Sequence, residues 1–370
     1  MVTREEINSI LKKYDKKKVA IATICSHSAL QIFHGAKLEG FKTIGICTSD
    51  RKALYESMPL AAPDELLMVD EYAEILDGPF QEKLRKKNCI IVPHGSFVEY
   101  VGASNIQEKF DVPMFGNRQS LEWESSRKKV REWTKRAGVH VPREYKSPSE
   151  IDSVCIVKFS GAKGGRGFFL TASYADFEKK MQEKLSKRII TKQEAESVTI
   201  QEFINGVRYY PHYFYSPMIH PPNSKGRVEV LSIDRRMESN VEEIYRIMAA
   251  GTLQELNINP SYVVTGNAPI TIRESLLPEV YDIGKRVHRA SEELFKGGIV
   301  GPYCVEMVCT PELELYAFEI SARIVAGTNL FPMGSFLSAY LFKEPMSTGR
   351  RIAREINLGI KSNRLGELVY

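Results

Sequence analysis

The sequence predicts a mixed α/β and α+β protein of two or three domains. Its 370 residues can form several hydrophobic cores. In the N-terminal part, short apolar runs alternate with helical patterns, which favours a parallel sheet. From about residue 150 the pattern changes to hairpins, and two apolar strands near the C-terminal end carry Glu306 and Glu319. These observations predict a parallel sheet followed by antiparallel pairs of strands.

The N-terminal elements are predicted to form strand–helix–strand units. In order, they are a helix near 3–14, a strand at 19–25, a helical stretch to Gly40, and strands at 43–47 and 89–92. Ligands of a parallel sheet bind beyond the carboxyl ends of its strands. The residues at those ends are His27 and Ser28 on one strand, and His94, Gly95 and Ser96 on another. They are therefore candidate ligand contacts.

The later elements are predicted in the same way. In order, they are a basic helix at 125–137 with Gly138 as its C-cap, strands at 154–159 and 168–172, a helix at 175–187, a strand at 198–204, strands at 303–309 and 313–320, and helices at 278–295, 334–342 and 349–356. Val130, Trp133 and Ala137 share one face of the basic helix. The segment 216–227, rich in Pro, Gly and Ser, is predicted to be a long loop.

Composition excludes several classes of function. The net charge of +5 permits anionic substrates but lacks the concentrated basic stripe of a nucleic-acid-binding protein. The six cysteines show no C-x-x-C spacing and lie in apolar runs, so we expect buried thiols in a reducing compartment. The N-terminus has no apolar signal region, and no run approaches transmembrane length. We therefore expect a cytoplasmic protein with no membrane partner.

The two C-terminal strands predict a metal site. Glu306 and Glu319 lie in the middle of these strands, and Thr310-Pro311-Glu312 is a turn signal between them. A tight hairpin with its tip at Glu312-Leu313 would pair the two glutamates directly. Like charges that face each other in a sheet are destabilising unless a cation lies between them. Carboxylates completed by substrate phosphates are typical of a magnesium–nucleotide site.

Lys158 is a candidate phosphate ligand. It lies inside an apolar strand, where an ammonium group is costly unless it meets an anion. The segment 160–167 follows at once, and its four glycines can wrap phosphate with backbone N–H groups. It is neither a Walker A loop nor a Rossmann fingerprint, because a strand follows it instead of a helix. The alternative is a flexible surface hairpin with a snorkelling lysine.

Two further segments allow a functional and an ordinary interpretation. The apolar strand 198–206 ends in polar residues and a glycine, so it can be a hinge that binds a purine edge or a plain strand and turn. Glu319, Ser321 and Arg323 are predicted to share one strand face. That face would line a site for a cation and phosphate, and the alternative is an internal Glu–Arg ion pair.

This combination of features resembles the ATP-grasp superfamily, with an N-terminal Rossmann-like (pre-ATP-grasp) domain. The resemblance implies ATP as co-substrate and a metal ion, Mg²⁺ or Mn²⁺, held by Glu306 and Glu319. It implies catalytic roles for Lys158 and Arg323. The implied ATP contacts are Arg127, Lys158, the glycines Gly161, Gly164, Gly165 and Gly167, and a hinge of Gln201, Glu202 and Ile204.

Within that superfamily the chain is most similar to the archaeal formate-dependent FAICAR synthetases (the PurP family). The segments that carry this resemblance are 26–31, 35–43, 93–96, 234–240, 265–267, 318–329 and 349–355. It implies a substrate domain at 1–124, a small lid subdomain with a linking helix at 125–212, and a metal-binding subdomain at 213–370. It also implies a homo-oligomer, a trimer or hexamer.

The activity implied by this family is the ATP- and formate-dependent formylation of AICAR (5-aminoimidazole-4-carboxamide ribonucleotide) to FAICAR, through formyl phosphate, in IMP biosynthesis. His27, Ser96 and Asn267 would bind AICAR in a pocket separate from the ATP site, and Glu238 would be a further nucleotide contact. Two positions depart from the superfamily pattern: Ser321 replaces an asparagine beside the metal, and Arg208 replaces a ribose-binding glutamate. The alternatives are an acid–amine ligase with another acceptor and a non-catalytic nucleotide-binding regulator.

Overall fold

The computed structural model of the chain describes residues 1–159, 168–238 and 263–370. Within these residues the strands form one parallel sheet and two antiparallel sheets. The order of the sheets along the chain agrees with the predicted change from strand–helix units to hairpins.

The N-terminal sheet is parallel and has the strand order β3-β2-β1-β4. Its strands are β1 (Ala20–Ile24), β2 (Lys42–Cys47), β3 (Glu65–Met68) and β4 (Cys89–Ile91). The helices of this part are α1 (Arg4–Lys12), α2 (Ala29–Leu38), α3 (Ser49–Glu56), α4 (Gly78–Lys86), α5 (Gly95–Val101), α6 (Ala103–Glu108) and α7 (Arg118–Glu124). The edge strand β3 was not predicted, although Leu66 to Val69 are all apolar, because an apolar run this short does not distinguish a strand from a helical segment.

The second sheet is small and antiparallel, with the order β5-β8-β6-β7. The basic helix α8 (Arg127–Arg136) precedes it and buries Val130 and Trp133. Its C-cap is Ala137 and not Gly138 as predicted; Gly138 follows the cap with a φ of +62°, the left-handed conformation that commonly ends a helix. The strands are β5 (Glu144–Tyr145), β6 (Cys155–Lys158), β7 (Phe168–Thr171) and β8 (Thr199–Glu202), with helices α9 (Tyr174–Ser186) and α10 (Lys192–Glu196).

The third sheet is antiparallel and has the order β11-β10-β9-β12-β13 among the described residues. Its strands are β9 (Val207–Ser216), β10 (Arg227–Glu238), β11 (Val264–Pro269), β12 (Gly301–Cys309) and β13 (Leu315–Ser321). The later helices are α11 (Leu277–Leu294), α12 (Phe336–Leu341), α13 (Thr348–Lys361) and α14 (Leu365–Leu368). Helix α11 packs on this sheet, where the Tyr213 hydroxyl donates to the Val280 carbonyl oxygen at 2.7 Å.

The hairpin β12–β13 pairs Glu306 directly with Glu319, as predicted. The turn differs from the prediction, because pairing ends at Cys309 and Leu315 and leaves a five-residue loop. A register shift between Glu306 and Met307 then leaves Phe318 as an extra residue on β13. This bulge offsets the longer loop and brings the two glutamates back into register.

Helices α2 and α13 fasten the N-terminal sheet to the C-terminal part of the chain. Two glycines allow the helices to touch. A Cβ at Gly35 would lie 2.1 Å from the backbone nitrogen of Arg350, and one at Gly349 would lie 2.3 Å from the backbone carbonyl oxygen of Gln31. Glu39 accepts hydrogen bonds from Arg350 and from Arg354 beside this crossing. The contact places the ends of β1 and β4 next to the third sheet.

Gly349→Ala is expected to lower the free energy of unfolding by about 2 kcal/mol, because the added methyl group meets backbone and not a flexible side chain. The change can be measured by urea denaturation. Gly78→Ala in α4 is the control, since a Cβ there has no atom within 4 Å and should leave stability equal or slightly higher. Equal stability of the two variants would contradict the close packing of α2 and α13.

The remaining expectations about composition concern thiols and membranes. All six cysteines are buried and free, as the sequence predicts. Among the described residues, none of the helices combines the length and the apolar character that crossing a membrane requires.

Candidate active site

The carboxyl ends of β1 and β4 bring His27 and Ser96 together. The Ser26 hydroxyl donates to the Ser96 hydroxyl at 3.0 Å, and the His27 ring stacks on His94 with 5.3 Å between centroids. The backbone of His27 has a φ of +52°, and its carbonyl oxygen accepts a hydrogen bond from Asn329 at 2.9 Å. A non-glycine residue held in this region is often part of a functional site.

Both histidines of this pair are neutral. Burial lowers the pKa of His94 to about 4, and its ring is fixed by the Ile24 carbonyl oxygen at 3.0 Å and by the Phe97 N–H at 3.3 Å. Burial, followed by the charges of His94 and Arg323, lowers the pKa of His27 to about 2. His27 therefore provides a hydrogen-bonding group at neutral pH and not a cation.

Glu306 and Glu319 form the candidate metal site. Glu306 is buried and Glu319 is exposed. Burial and the neighbouring Glu319 carboxylate raise the pKa of Glu306 to about 7. Its two oxygens accept hydrogen bonds from Arg236 at 3.2 and 2.5 Å. The charge on Glu306 thus has a protein partner, which the sequence analysis did not identify.

The donor set fits a hard divalent cation shared with a nucleotide. The described residues contain no group of three or more His, Cys, Asp or Glu side chains that could hold a metal ion alone. Two carboxylates are the usual protein contribution when phosphate oxygens and water complete the shell of Mg²⁺. Glu306 and Glu319 are therefore suited to such an ion only together with a phosphate ligand.

The charges of Arg127, Glu319 and Glu306 all act on Lys158. The Lys158 ammonium donates to Gln201 Oε1 at 2.8 Å, and Arg127 donates to the Phe159 carbonyl oxygen at 2.9 Å. Burial lowers the pKa of Lys158, as does Arg127, whereas Glu319 and Glu306 raise it. The fold thus brings the predicted phosphate-binding cations near the predicted metal ligands.

The predicted hinge is formed by the end of β8. The Glu202 N–H donates to the Arg143 carbonyl oxygen at 2.7 Å, so a purine edge would use other backbone groups here. Ile204 follows the strand and is half-buried. The four glycines predicted to bind phosphate lie outside the described residues: Gly161, Gly164, Gly165 and Gly167.

Arg208 and Glu238 explain one departure from the superfamily pattern. They form an ion pair between β9 and β10. Burial raises the pKa of Glu238, although Arg208 lowers it. Glu238 on β10 thus supplies a carboxylate next to Arg208 on β9, the position where the superfamily pattern has a ribose-binding glutamate.

Asn267 belongs to a buried polar network. Its amide nitrogen donates to Asp234 Oδ2 at 2.7 Å, and Asp234 Oδ1 lies 2.6 Å from His212 Nε2. His212 Nδ1 in turn lies 3.2 Å from the Ser232 hydroxyl. Asp234 engages one of the two amide N–H groups, so the second N–H and the carbonyl oxygen of Asn267 are the groups suited to bind a ligand.

Asn267→Ala is expected to raise the KM for AICAR about 30-fold, the effect of one lost hydrogen bond in a buried site. The KM for ATP in the same variant is the internal control and should stay unchanged, since Asn267 is predicted to contact only the acceptor. Steady-state kinetics with each substrate varied in turn measures both. A parallel rise in the two KM values would count against a specific AICAR contact.

Arg323 joins the two predicted sites. The prediction that it shares a strand face with Glu319 is wrong, because β13 ends at Ser321 and Arg323 instead donates to Glu124 at 3.2 Å. A Cβ on Gly95 would lie 2.8 Å from His27 Nε2 and 3.5 Å from the Arg323 guanidinium carbon. The charge of Arg323 also acts on Glu306. The residues predicted to bind AICAR therefore adjoin the predicted metal ligands, whereas the sequence analysis placed them in a separate pocket.

Comparison with known proteins identifies the family. A model described as protein of unknown function (DUF1246) matches residues 21–145, and one described as domain of unknown function (DUF1297) matches residues 176–370. The chain is 49% identical over 371 residues to 5-formaminoimidazole-4-carboxamide-1-(beta)-D-ribofuranosyl 5'-monophosphate synthetase of Methanosarcina acetivorans, with 100% of both chains covered. The protein of that name from Methanothrix thermoacetophila is 50% identical with the same coverage. The chain belongs to this synthetase family.

Solved structures place the synthetase family in a wider fold class. The IMP biosynthesis protein PurP from Thermococcus kodakaraensis is 31% identical with a TM-score of 0.70, covering 95% of this chain and 100% of that one. The biotin carboxylase–beta-gamma-ATP complex from Campylobacter jejuni is 14% identical with a TM-score of 0.62, covering 90% of this chain and 70% of that one. The latter likeness concerns the fold alone. The expectations of the synthetase family, of an ATP-grasp fold and of an ATP-grasp ligase are confirmed.

Three residues of the candidate site were not predicted from the sequence. Arg236 and Asp234 lie with Glu238 at alternate positions of β10, but the strand also carries other charged residues, so the apolar surroundings that singled out Lys158 are missing. Three charges on one face of a strand are the signal that could have indicated them. Glu124 lies at the end of α7, and its sequence surroundings contain no comparable signal.

Proposed function

We propose that this chain catalyses the ATP- and formate-dependent formylation of AICAR to FAICAR, with release of ADP and phosphate, in IMP biosynthesis. The observation that carries the proposal is the adjacency of the two sites at Arg323. An acyl phosphate formed beside the glutamates can react with an amine held at His27 without leaving the protein. The full-length similarity to relatives named for the synthesis of FAICAR supports this choice of product.

The first step is the phosphorylation of formate. A formate oxygen attacks the γ-phosphorus of ATP, and the bond from that phosphorus to the bridging oxygen of ADP breaks, which yields formyl phosphate and ADP. Lys158, Arg127 and Arg323 would spread the negative charge of the transferred group. When bound by Glu306 and Glu319, Mg²⁺ or Mn²⁺ supplies further charge neutralisation to the phosphate oxygens.

The second step forms the new carbon–nitrogen bond. The 5-amino nitrogen of AICAR attacks the formyl carbon, the bond from carbon to the phosphate oxygen breaks, and the proton lost by the amine ends on the released phosphate, which leaves as HPO4²⁻. His27 and Ser96 would position the ribonucleotide by hydrogen bonds. Formyl phosphate reacts with water, so the short distance between the two sites protects it during transfer.

ADP release tests this function most directly. The enzyme would be assayed with ATP and Mg²⁺ alone, with formate, with AICAR, and with both, and the product identified by mass spectrometry. We expect ADP and FAICAR in equal amounts only when both substrates are present. ADP release with other amines but not with AICAR would indicate the alternative acid–amine ligase, and no release under any condition would indicate a regulator.

We further propose the organisation implied by the family resemblance. The parts are a substrate domain at 1–124, a small lid subdomain at 125–212 and a metal-binding subdomain at 213–370. The chain would act on small molecules in the cytoplasm as a homo-oligomer, a trimer or hexamer. Light scattering during size-exclusion chromatography would measure its mass.

A further inference from the structure

Arg236 reaches across a whole strand to bind Glu306. It lies on β10, whereas Glu306 lies on β12, and β9 runs between them. Neighbouring strands lie about 4.8 Å apart, so the arginine side chain must span roughly twice that distance. It does so over the face of Tyr210, whose ring centroid is 4.1 Å from the guanidinium carbon. This path fixes the guanidinium group at the metal end of the site.

The two hydrogen bonds of Arg236 use both oxygens of Glu306. These are the oxygens that would ligate a divalent cation. A guanidinium group and a metal ion therefore compete for one buried carboxylate, which is 3% exposed compared with 25% for the Arg236 side chain. Arg236 is the more exposed partner, so it can turn toward the open part of the site.

Arg236 also faces the AICAR side of the site. It pairs directly with Asn267 in the register of β10 and β11. Its charge acts on the His27 ring together with the charge of Arg323. Arg323 is already bound by the buried Glu124. Arg236 is thus a cation located between the predicted metal ligands and the predicted acceptor contacts.

We propose that Arg236 and the divalent cation alternate on Glu306, and that the guanidinium group displaced by the cation receives the carboxylate of formate. This inference rests on the proposed function. A planar guanidinium fork matches a carboxylate with two parallel hydrogen bonds, which no other amino-acid side chain provides. The exchange couples the binding of formate to the binding of the cation. Formate is then held only when the cation is present, which is the condition for phosphoryl transfer.

Titration with Mn²⁺ tests the competition without turnover. Mn²⁺ binding to the enzyme with ADP present would be measured by electron paramagnetic resonance for wild type, Arg236→Met and Arg236→Lys. Arg236→Met should bind Mn²⁺ severalfold more tightly, because the competing cation is gone. Unchanged or weaker binding in a folded Arg236→Met protein would overturn the exchange.

The KM for formate tests the second half of the proposal. We expect Arg236→Met to raise it about 30-fold, since a charge-assisted hydrogen bond to a carboxylate is lost, while the KM values for ATP and AICAR stay near those of wild type. Arg236→Lys should fall in between, because it keeps the charge but loses the fork. A merely structural role would not combine tighter metal binding with weaker formate binding.

Arg136→Met is the matched control, since it also removes one positive charge. Arg136 forms a surface ion pair with Glu293 at 3.4 Å, so this variant should match wild type in both measurements. Circular dichroism would show that each variant is folded. If wild type needs no formate for ADP release, the proposed function fails. If wild type needs formate but Arg236→Met keeps its formate KM, only this inference fails.

Discussion

Glu319→Gln is expected to remove nearly all ADP release and to leave AICAR binding intact, which is the largest effect expected from the structure. Glu319 pairs directly with Glu306 across the β12–β13 hairpin. Glutamine keeps the size of the side chain and removes its charge, so the metal loses one of its two anionic protein ligands. Because phosphoryl transfer depends mainly on charge neutralisation, we expect kcat to fall about 1000-fold.

The matched control for this variant lies in the same hairpin. Glu312 is an exposed residue of the loop between the two strands, so Glu312→Gln should keep full activity. AICAR affinity, measured by isothermal titration calorimetry, should be the same in both variants and in wild type. Substantial turnover by Glu319→Gln at saturating Mg²⁺ would contradict the assignment of Glu319 as a metal ligand.

Lys158→Met is expected to lower kcat/KM for ATP about 100-fold through loss of a cation at the phosphates. Its stability should not fall, because burial disfavours the charged lysine in the folded protein and lowers its pKa. An activity loss without a stability loss separates a functional lysine from a structural one. Thermal denaturation and steady-state kinetics measure the two effects, and a large fall in stability would contradict this interpretation.

The lowered pKa of Lys158 also predicts a pH dependence. The ammonium form exists below the pKa and is lost as pH rises through it. Since that pKa lies below the ordinary lysine value of 10.5 in the free enzyme, kcat/KM for ATP should begin to fall at a lower pH than an ordinary lysine would give. Lys158→Arg should remove this alkaline limb, because arginine stays charged. An unchanged limb in Lys158→Arg would assign it to another group.

Local pattern was sufficient for most of the elements. The paired glutamates, the basic helix that ends before Gly138 and the parallel strands of the N-terminal sheet all follow from periodicity and turn residues. The short edge strand β3 was not predicted, because its apolar run of four residues does not distinguish a strand from a helical segment. The bulge at Phe318 was also invisible, since it depends on how β13 pairs and not on its composition.

The residues of the candidate site were predicted as two separate sets, and their closeness in the folded protein was not predicted. The main errors concerned the ion-pair partners of the arginines. Arg323 was assigned to the face of Glu319, but it binds Glu124, which is 199 residues away in sequence. The partner of Glu306 is Arg236, 70 residues away. Sequence spacing carries no information about such pairs, because they depend on how separate elements pack.

Residue types and their placement in strands were enough to predict the chemistry of this protein. Charges within apolar strands, at Lys158 and in the facing pair Glu306 and Glu319, need a counter-charge wherever the strands lie, so they predict a cation and a phosphate. Where these groups meet depends on the tertiary structure. The close crossing at Gly35 and Gly349 holds the N-terminal sheet against the third sheet. Long-range packing of that kind joins the metal end to the acceptor pocket, because contact between distant segments depends on three-dimensional fit and not on local pattern.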